Sequence, residues 1–396
     1  MTVQTTSSGS QRASSARRPK NGHYTQFRRN GNEVYSALDL GTNNCRLLVA
    51  KPTRDSFHVV DAFSRIVRLG EGVSLSGQLS AEAVDRTIEA LKVCAEKMQR
   101  RGVTHMRNVA TEACRAAANC DDFVARVLKE TGITLDIISP AEEARLAVLG
   151  CQALLDKETE RAIVFDIGGG STELIWLAIE KAGPPRILGW TSMPIGVVNL
   201  SEAFPSNGEV DVALYESMIS KVLGWLEPFE AQHNMSAFIK SGQVQMLGTS
   251  GTVTTLTSLH LDLPRYDRSQ VDGAWIDARE MQSLCRSLAN MNYTARSAHQ
   301  CIGSDRAELI VAGCAILDAI IGLWPAPRIR VADRGIREGM LLDLIEGGRN
   351  RQAGRYRSRR KPSSIQASGN QASGNQASGN QASGTPASGT PASGND

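Results

Sequence analysis

Val164-Phe165-Asp166-Ile167-Gly168-Gly169-Gly170-Ser171-Thr172-Glu173-Leu174 is an apolar strand that ends on an acid, turns through three glycines and leaves as a second strand. Glycine has no Cβ, so such a turn lets the backbone approach an anionic oxygen and aim several N–H groups at it, while Ser171 and Thr172 add hydroxyl donors. Phosphate is the natural guest, although hairpins also use three-glycine turns for structure alone. Asp166 sharpens the choice. A carboxylate at the lip of a phosphate loop repels the guest unless a cation such as Mg2+ lies between them; its alternative role is to cap local N–H groups.

Working outward, the same device stands earlier in the chain, where Asp39-Leu40-Gly41-Thr42-Asn43 closes the apolar run from Val34. Around it the apolar periodicity predicts strands over 34–39, 45–51 and 57–69, a helix over 80–100, a strand over 106–110, helices over 112–118 and 122–130, a strand over 135–138 and a helix over 141–154. A comparable order then starts again: strands over 162–166, 172–179 and 186–193, a helix from 212 to about 232, a strand over 244–247, helices over 252–259, 278–289 and 307–323, a strand over 328–331 and a closing helix from 336. The chain reads as a duplicated α/β protein, with one half over 33–144, a second over 145–334 and a closing helix, 335–347, that returns to the first. Two such turns facing each other across a cleft make a phosphate clamp.

Three further segments offer chemistry, each with a plainer alternative. Gly248-Thr249-Ser250-Gly251-Thr252 lies between a strand and a helix, so its amides and the positive helix end form either a third anion site or an ordinary N-cap turn. Glu142-Glu143-Ala144-Arg145-Leu146 opens a helix between the halves; its acids either complement the helix dipole or supply the carboxylate that activates water. Arg115 either forks onto phosphate or pairs with Glu112 or Asp122.

Taken together, DLGTNNCRLL from Asp39, ATEACRAA from Ala110, EEARL from Glu142, VFDIGGGSTEL from Val164, LGTSGT from Leu247, AELIVAGCAIL from Ala307 and DRGIREGMLLDL from Asp333 resemble the exopolyphosphatase/guanosine pentaphosphate phosphohydrolase family, in order and spacing, over residues 33–347. The resemblance implies two ribonuclease-H-like domains in an actin-like fold, with an interdomain cleft that hydrolyses the terminal phosphoanhydride of polyphosphate using Mg2+. The alternative substrate is pppGpp, the stringent-response nucleotide; a kinase is disfavoured because the acids and the EEARL and GIREGMLLDL motifs argue for water as acceptor, and a non-catalytic sensor because Glu143, Asp166 and Glu173 remain. By the same resemblance the catalytic set is Glu143 as water-activating base with Asp166, Glu173 and Arg115. Phosphate contacts fall on Gly41, Thr42, Asn43, Gly168, Gly169, Gly170 and Ser171, joined by the turn at Gly248, Ser250 and Gly251. Metal contacts fall on Asp166, Asp39 and Glu173. Where many relatives continue the first loop with Ser-Phe-His, this chain has Asn44, Cys45 and Arg46, which adds a cation. A homodimer is also implied.

The charge is unevenly distributed, an acidic body between two basic arms. The chain has 396 residues and a net charge of +3, yet residues 1–32 hold six basic groups and no acid, and residues 348–396 hold seven basic groups against Asp396, which leaves 33–347 at −9. These basic arms are expected to be disordered: residues 366–395 are six Gln/Pro-Ala-Ser-Gly pentapeptides unable to bury a core. They offer diffuse attraction to a polyanion, and they lack the interleaved aromatics that reading nucleic acid requires. The longest apolar stretch, Leu309 to Trp324, is interrupted by Asp318, so no membrane span is expected and the chain reads as cytoplasmic. Eight cysteines without a C-x-x-C pair read as reduced core residues.

Overall fold

The computed structural model describes residues 33–359 apart from Asp55 and Asn207, so the arm 1–32 and the pentapeptide segment lie outside the described residues. Strands β1 (Tyr35–Leu40), β2 (Asn44–Pro52), β3 (Phe57–Ile66), β4 (His105–Ala110) and β5 (Asp136–Ile137) form a sheet in the order β3-β2-β1-β4-β5. Its first three strands are antiparallel, and β4 and β5 then add in parallel. The second sheet repeats the plan with β6 (Arg161–Ile167), β7 (Thr172–Ala178), β8 (Arg186–Met193), β9 (Val244–Thr249) and β11 (Arg328–Ala332), and gains a three-residue edge strand, β10 (Trp275–Asp277). The duplicated ribonuclease-H-like, actin-like architecture expected from the sequence is therefore present. Both sheets fall in one compact unit ending at Arg349; the second unit, from Asn350, is described only as helical backbone to Arg359, so the closing helix runs past the expected end at 347 into a stretch expected to be disordered.

Burial explains the sequence pattern. All seven residues of β7 are buried, which is why 174–178 is a continuous apolar run rather than an alternation. One face of the first sheet packs on the helix Ala81–Arg100, whose N-cap Ser80 accepts from the Ala83 amide and whose Ile88, Leu91 and Cys94 turn inward. The second sheet carries a larger core on the helices Val212–His233, Ala278–Asn290 and Ile310–Leu323. All eight cysteines are free and buried, as expected.

Two helices occupy the remaining faces. Pro140–Cys151 starts at Ser139, whose hydroxyl caps the Glu142 amide, and has Pro at the first helical position. Its Leu146 packs with Tyr35, Leu48 and Val109 of the first sheet, while Ala144, Val148 and Cys151 pack with Val164, Ile175 and Leu247 of the second. The closing helix Ile336–Arg359 places Met340, Leu341 and Ile345 on the first sheet. The two helices cross in backbone contact: a Cβ at Gly150 would overlap the Gly335 carbonyl, and one at Gly339 would overlap the Leu146 carbonyl. Only glycine permits that approach, and it places Glu143 between the sheets.

Several expected boundaries move. The third strand stops at Ile66 rather than 69, because Val67 and Arg68 turn their amides to the Asn43 carbonyl. The helix expected over 307–323 is broken into Ser304–Ala307 and Ile310–Leu323. Strand β9 runs on to Thr249, and β10 was too short to show periodicity. Among the described residues no helix is long and apolar enough to cross a membrane.

The helix crossing gives a direct test. Gly339→Ala is expected to lower stability by about 1–3 kcal/mol through overpacking. Gly322→Ala, at a helical position with no atom within 4 Å of its new Cβ, is expected to be neutral or slightly stabilising. Chemical denaturation of the two variants checks both.

Candidate active site

Both sheets end their first strand on the same turn. Gly41 N–H donates to the Asn44 carbonyl and Gly168 N–H to the Ser171 carbonyl, each at 2.9 Å. The carbonyls of the second turn are drawn outward: Val197 N–H donates to Gly168 O (3.0 Å), Val198 N–H to Gly169 O (2.8 Å) and Asn199 Nδ2 to Gly170 O (2.7 Å). The amides of Gly169, Gly170 and Ser171 donate to no acceptor among the described residues, the state of an anion-binding nest. The two turns abut: a Cβ at Gly169 would lie 3.0 Å from Thr42 Cβ and 3.1 Å from Asn43 N, and one at Gly170 would lie 2.7 Å from Thr42 Oγ1.

A cavity between the sheets is lined by Gly41, Thr42, Asn43 and Asn44 of one turn, Gly168 to Ser171 of the other, and Asp39, Arg46, Glu143, Asp166, Glu173 and Ser250. Register explains the charges. Asp39 pairs with Arg46 across β1 and β2, and Asp166 pairs with Glu173 across β6 and β7, so one topological position carries a cation in one half and an acid in the other. Glu173 Oε1 accepts from Ser171 Oγ (2.6 Å) and Ser192 Oγ (2.9 Å).

Glu143 stands in the first turn of its helix with its carboxylate buried and Oε2 2.8 Å from Arg115 Nη1. Arg115 Nη1 also donates to Ile138 O (2.9 Å) and its Nε to Glu112 Oε2 (3.0 Å), while Nη2 stands 2.8 Å from Glu112 Oε2 without hydrogen-bond alignment. Arg115 is absent from the cavity lining: it holds Glu143 from behind. Both pairings offered by the sequence were local ones, and neither named Glu143.

Burial of several acids around one space sets their protonation. Burial and the Asp166 charge push Glu173 up to about 7, against the hydroxyl bonds and Arg115. Burial lifts Asp166 to about 6, opposed by Arg46 and reinforced by Asp39. Burial and the nearby Glu173 raise Glu143 well above the ordinary carboxylate range, opposed by Arg115. Asp39 is raised by burial and eased by Arg46 and Arg337.

The third turn divides. Ser250 reaches the cavity with φ 84°, a strained backbone for a non-glycine residue, and its hydroxyl donates to Ile167 O at 2.7 Å. Gly251 lines an adjoining space with Asn44, Arg46 and Arg306. Gly248 lies inside β9, where a Cβ would be 2.5 Å from the Phe165 ring; it lines none of these spaces and serves packing. Arg306 and Arg337 also border the cleft and were not singled out from sequence. Arg306 stands one residue before the quoted AELIVAGCAIL stretch, and Arg337 sits inside the quoted DRGIREGMLLDL stretch.

A duplicated ribonuclease-H-like frame that turns two glycine loops and buried acids toward one space is the actin-like architecture adapted to an anionic guest. The chain belongs to the Ppx/GppA phosphatase family, whose model matches residues 48–347. It is 30% identical over 332 residues to exopolyphosphatase 2 of Mycobacterium tuberculosis, covering 78% of this chain and 98% of the relative. A putative exopolyphosphatase of Haemophilus influenzae is 27% identical over 313 residues, covering 78% and 90%. Among solved structures, an exopolyphosphatase from Cytophaga hutchinsonii superposes with a TM-score of 0.72 at 25% identity, covering 80% of this chain and 98% of that one. The Aquifex aeolicus family member gives 0.64 at 26%, with the same coverage.

The raised pKa of Glu173 makes its ionisation a cost to folding. An acid whose folded pKa exceeds its ordinary 4.5 leaves stability intact below that value and removes it as pH rises through about 7. Glu173→Gln, which still accepts from Ser171 and Ser192, is expected to stabilise the protein above pH 7, by on the order of 3 kcal/mol as an upper bound. The gain disappears near pH 4.5. Thermal unfolding across that range measures it.

Proposed function

We propose that this chain is an exopolyphosphatase, releasing the terminal orthophosphate of inorganic polyphosphate by attack of water. The observation that carries the reading is the shared cavity: unpaired turn amides and the buried Glu143 carboxylate line the same space. The relatives named as exopolyphosphatases support the substrate class.

Phosphoryl transfer spreads charge over three equatorial oxygens, so positioning and neutralisation are the main tasks. The amides of Gly169, Gly170 and Ser171 and the Arg46 guanidinium meet the terminal phosphoryl group. Glu143 accepts the proton of a water whose oxygen bonds to phosphorus while the bridging P–O bond breaks, leaving the shortened chain with that bond pair. Arg115 is a positioning residue, since its bonds to Ile138 O and Glu112 fix the guanidinium that fixes Glu143.

Mg2+ fits the residues present as a two-carboxylate site rather than a three-acid cage. Among the described residues no three His, Cys, Asp or Glu converge as a ligand group, and Glu173 already accepts two hydroxyls at Oε1. Asp39 and Asp166 line the cavity together, and Asn43 Oδ1 is a buried acceptor without a donor, so the available donors are all oxygen. Those groups would hold the hydrated ion, which when bound supplies positive charge between Asp166 and the substrate.

Two outcomes test this. Glu143→Gln is expected to lower phosphate release from polyphosphate about 10²- to 10⁴-fold, the usual worth of a general base, while binding survives. Chelating divalent ions stops release by the unaltered enzyme, and Mg2+ restores it. Because Glu143 must be ionised and its pKa is raised, wild-type kcat/KM climbs with pH through that shifted value. Orthophosphate assays on long polyphosphate, tripolyphosphate, pppGpp and ATP rank the substrates; failure with both polyphosphates retires the reading.

A further inference from the structure

The two glycine turns are joined a second time, outside the cavity, through one side chain. On the first sheet, Gly70 N–H donates to the Thr42 carbonyl (2.9 Å), and Val67 N–H and Arg68 N–H donate to the Asn43 carbonyl (2.9 and 3.1 Å), so the segment after β3 is bonded to the back of the first turn. On the second sheet, the helix Val197–Ala203 takes the carbonyls of Gly168, Gly169 and Gly170 at its N-terminus. Glu202, near the other end of that helix, reaches across: Oε1 accepts from Gly72 N–H at 2.8 Å, and Oε2 accepts from the Ser74 hydroxyl.

These bonds close a ring. It runs from the first turn through Gly70 and Gly72 to Glu202, along the helix to the second turn, and back across the contact of Gly169 with Thr42 and Asn43. Glu202 is the side chain that closes that ring, and its two carboxylate oxygens are both spent on the Gly72–Ser74 segment that follows β3. The crossing of Pro140–Cys151 with the closing helix ties the sheets at another place.

We propose that Glu202 is a positioning residue that sets the spacing of the two phosphate-binding turns, and so governs affinity for the terminal phosphoryl group rather than the chemical step. It touches no lining group of the cavity, and its effect passes through the Gly70–Ser74 segment on one side and the helix Val197–Ala203 on the other. Removing it leaves Glu143, Arg115 and both turns chemically intact while freeing the distance between the turns. The bound geometry must then be recovered at the expense of substrate binding energy, which raises KM more than it lowers kcat.

This inference rests on the phosphohydrolase reading for its kinetic arm only. With tripolyphosphate as substrate, Glu202→Ala is expected to raise KM by roughly tenfold and to change kcat by less than about threefold. Glu202→Gln, which keeps an acceptor for the Gly72 amide, falls between the two. Hydrogen exchange on the free protein supplies the second arm: amides of 70–76 and 197–203 exchange faster in Glu202→Ala, while those of 81–100 keep wild-type rates. KM within about twofold of wild type, unchanged exchange in both segments, or faster exchange throughout the second sheet each overturn the proposal. Should the wild type release no phosphate from tripolyphosphate, the substrate reading fails instead, and the exchange comparison still decides the role of Glu202.

Discussion

The contact of two glycine turns is the constraint on which the remainder of this structure depends. Gly169 and Gly170 face Thr42 and Asn43 at separations that leave no room for a Cβ without displacement, so the second turn's bare backbone packs directly on the Thr42 side chain and the Asn43 backbone of the first. The free amides of the second turn can then address one phosphoryl group at short range, with no side chain of their own in the way. The fold supplies this contact through repetition: each sheet ends its first strand in the same hairpin, and the cavity forms where the two hairpins oppose each other.

Such a site is electrostatically unfavourable when empty of positive charge. Asp39, Glu143, Asp166 and Glu173 border one space; burial raises all four above their ordinary range, and repulsion from a neighbouring acid of the set adds to it for Glu143, Asp166 and Glu173. Among the described residues Arg46 is the one guanidinium lining that space with them, and of the four acids Arg115 bonds Glu143, from behind. A group kept near neutrality in this way is a better base at physiological pH than an exposed carboxylate, so the strain on stability and the capacity for proton transfer have the same origin. The duplication also diverged usefully: the position opposite the strand-ending aspartate became Arg46 in one half and Glu173 in the other.

Much of the site was legible in the residues. Strand-ending acids, glycine runs and the EEARL segment lie in contiguous stretches whose chemistry is local, and the cavity gathers Asp39, Gly41 to Asn43, Glu143, Asp166, Gly168 to Ser171, Glu173 and Ser250. The departures share a cause. Gly248 has the look of a phosphate-loop glycine, yet it makes room for the Phe165 ring on the neighbouring strand. Arg115 was weighed against partners within a few residues, whereas its decisive partner is Glu143, 28 positions away. Glu202 belongs to no motif at all, and its partners lie 128 and 130 positions off.

By itself, then, the chain's order of apolar runs, acids and glycines determined a repeated α/β plan and the identity of the groups offered to an anion, because strand periodicity and glycine's missing Cβ act over a few residues. Which of those groups share a cavity, which one is held from behind by an arginine, and how far apart the two turns stand were decided only in three dimensions. Burial, Coulomb interaction and steric contact depend on distance in space, and residues far apart in the chain become neighbours only when the two sheets pack around the crossed helices.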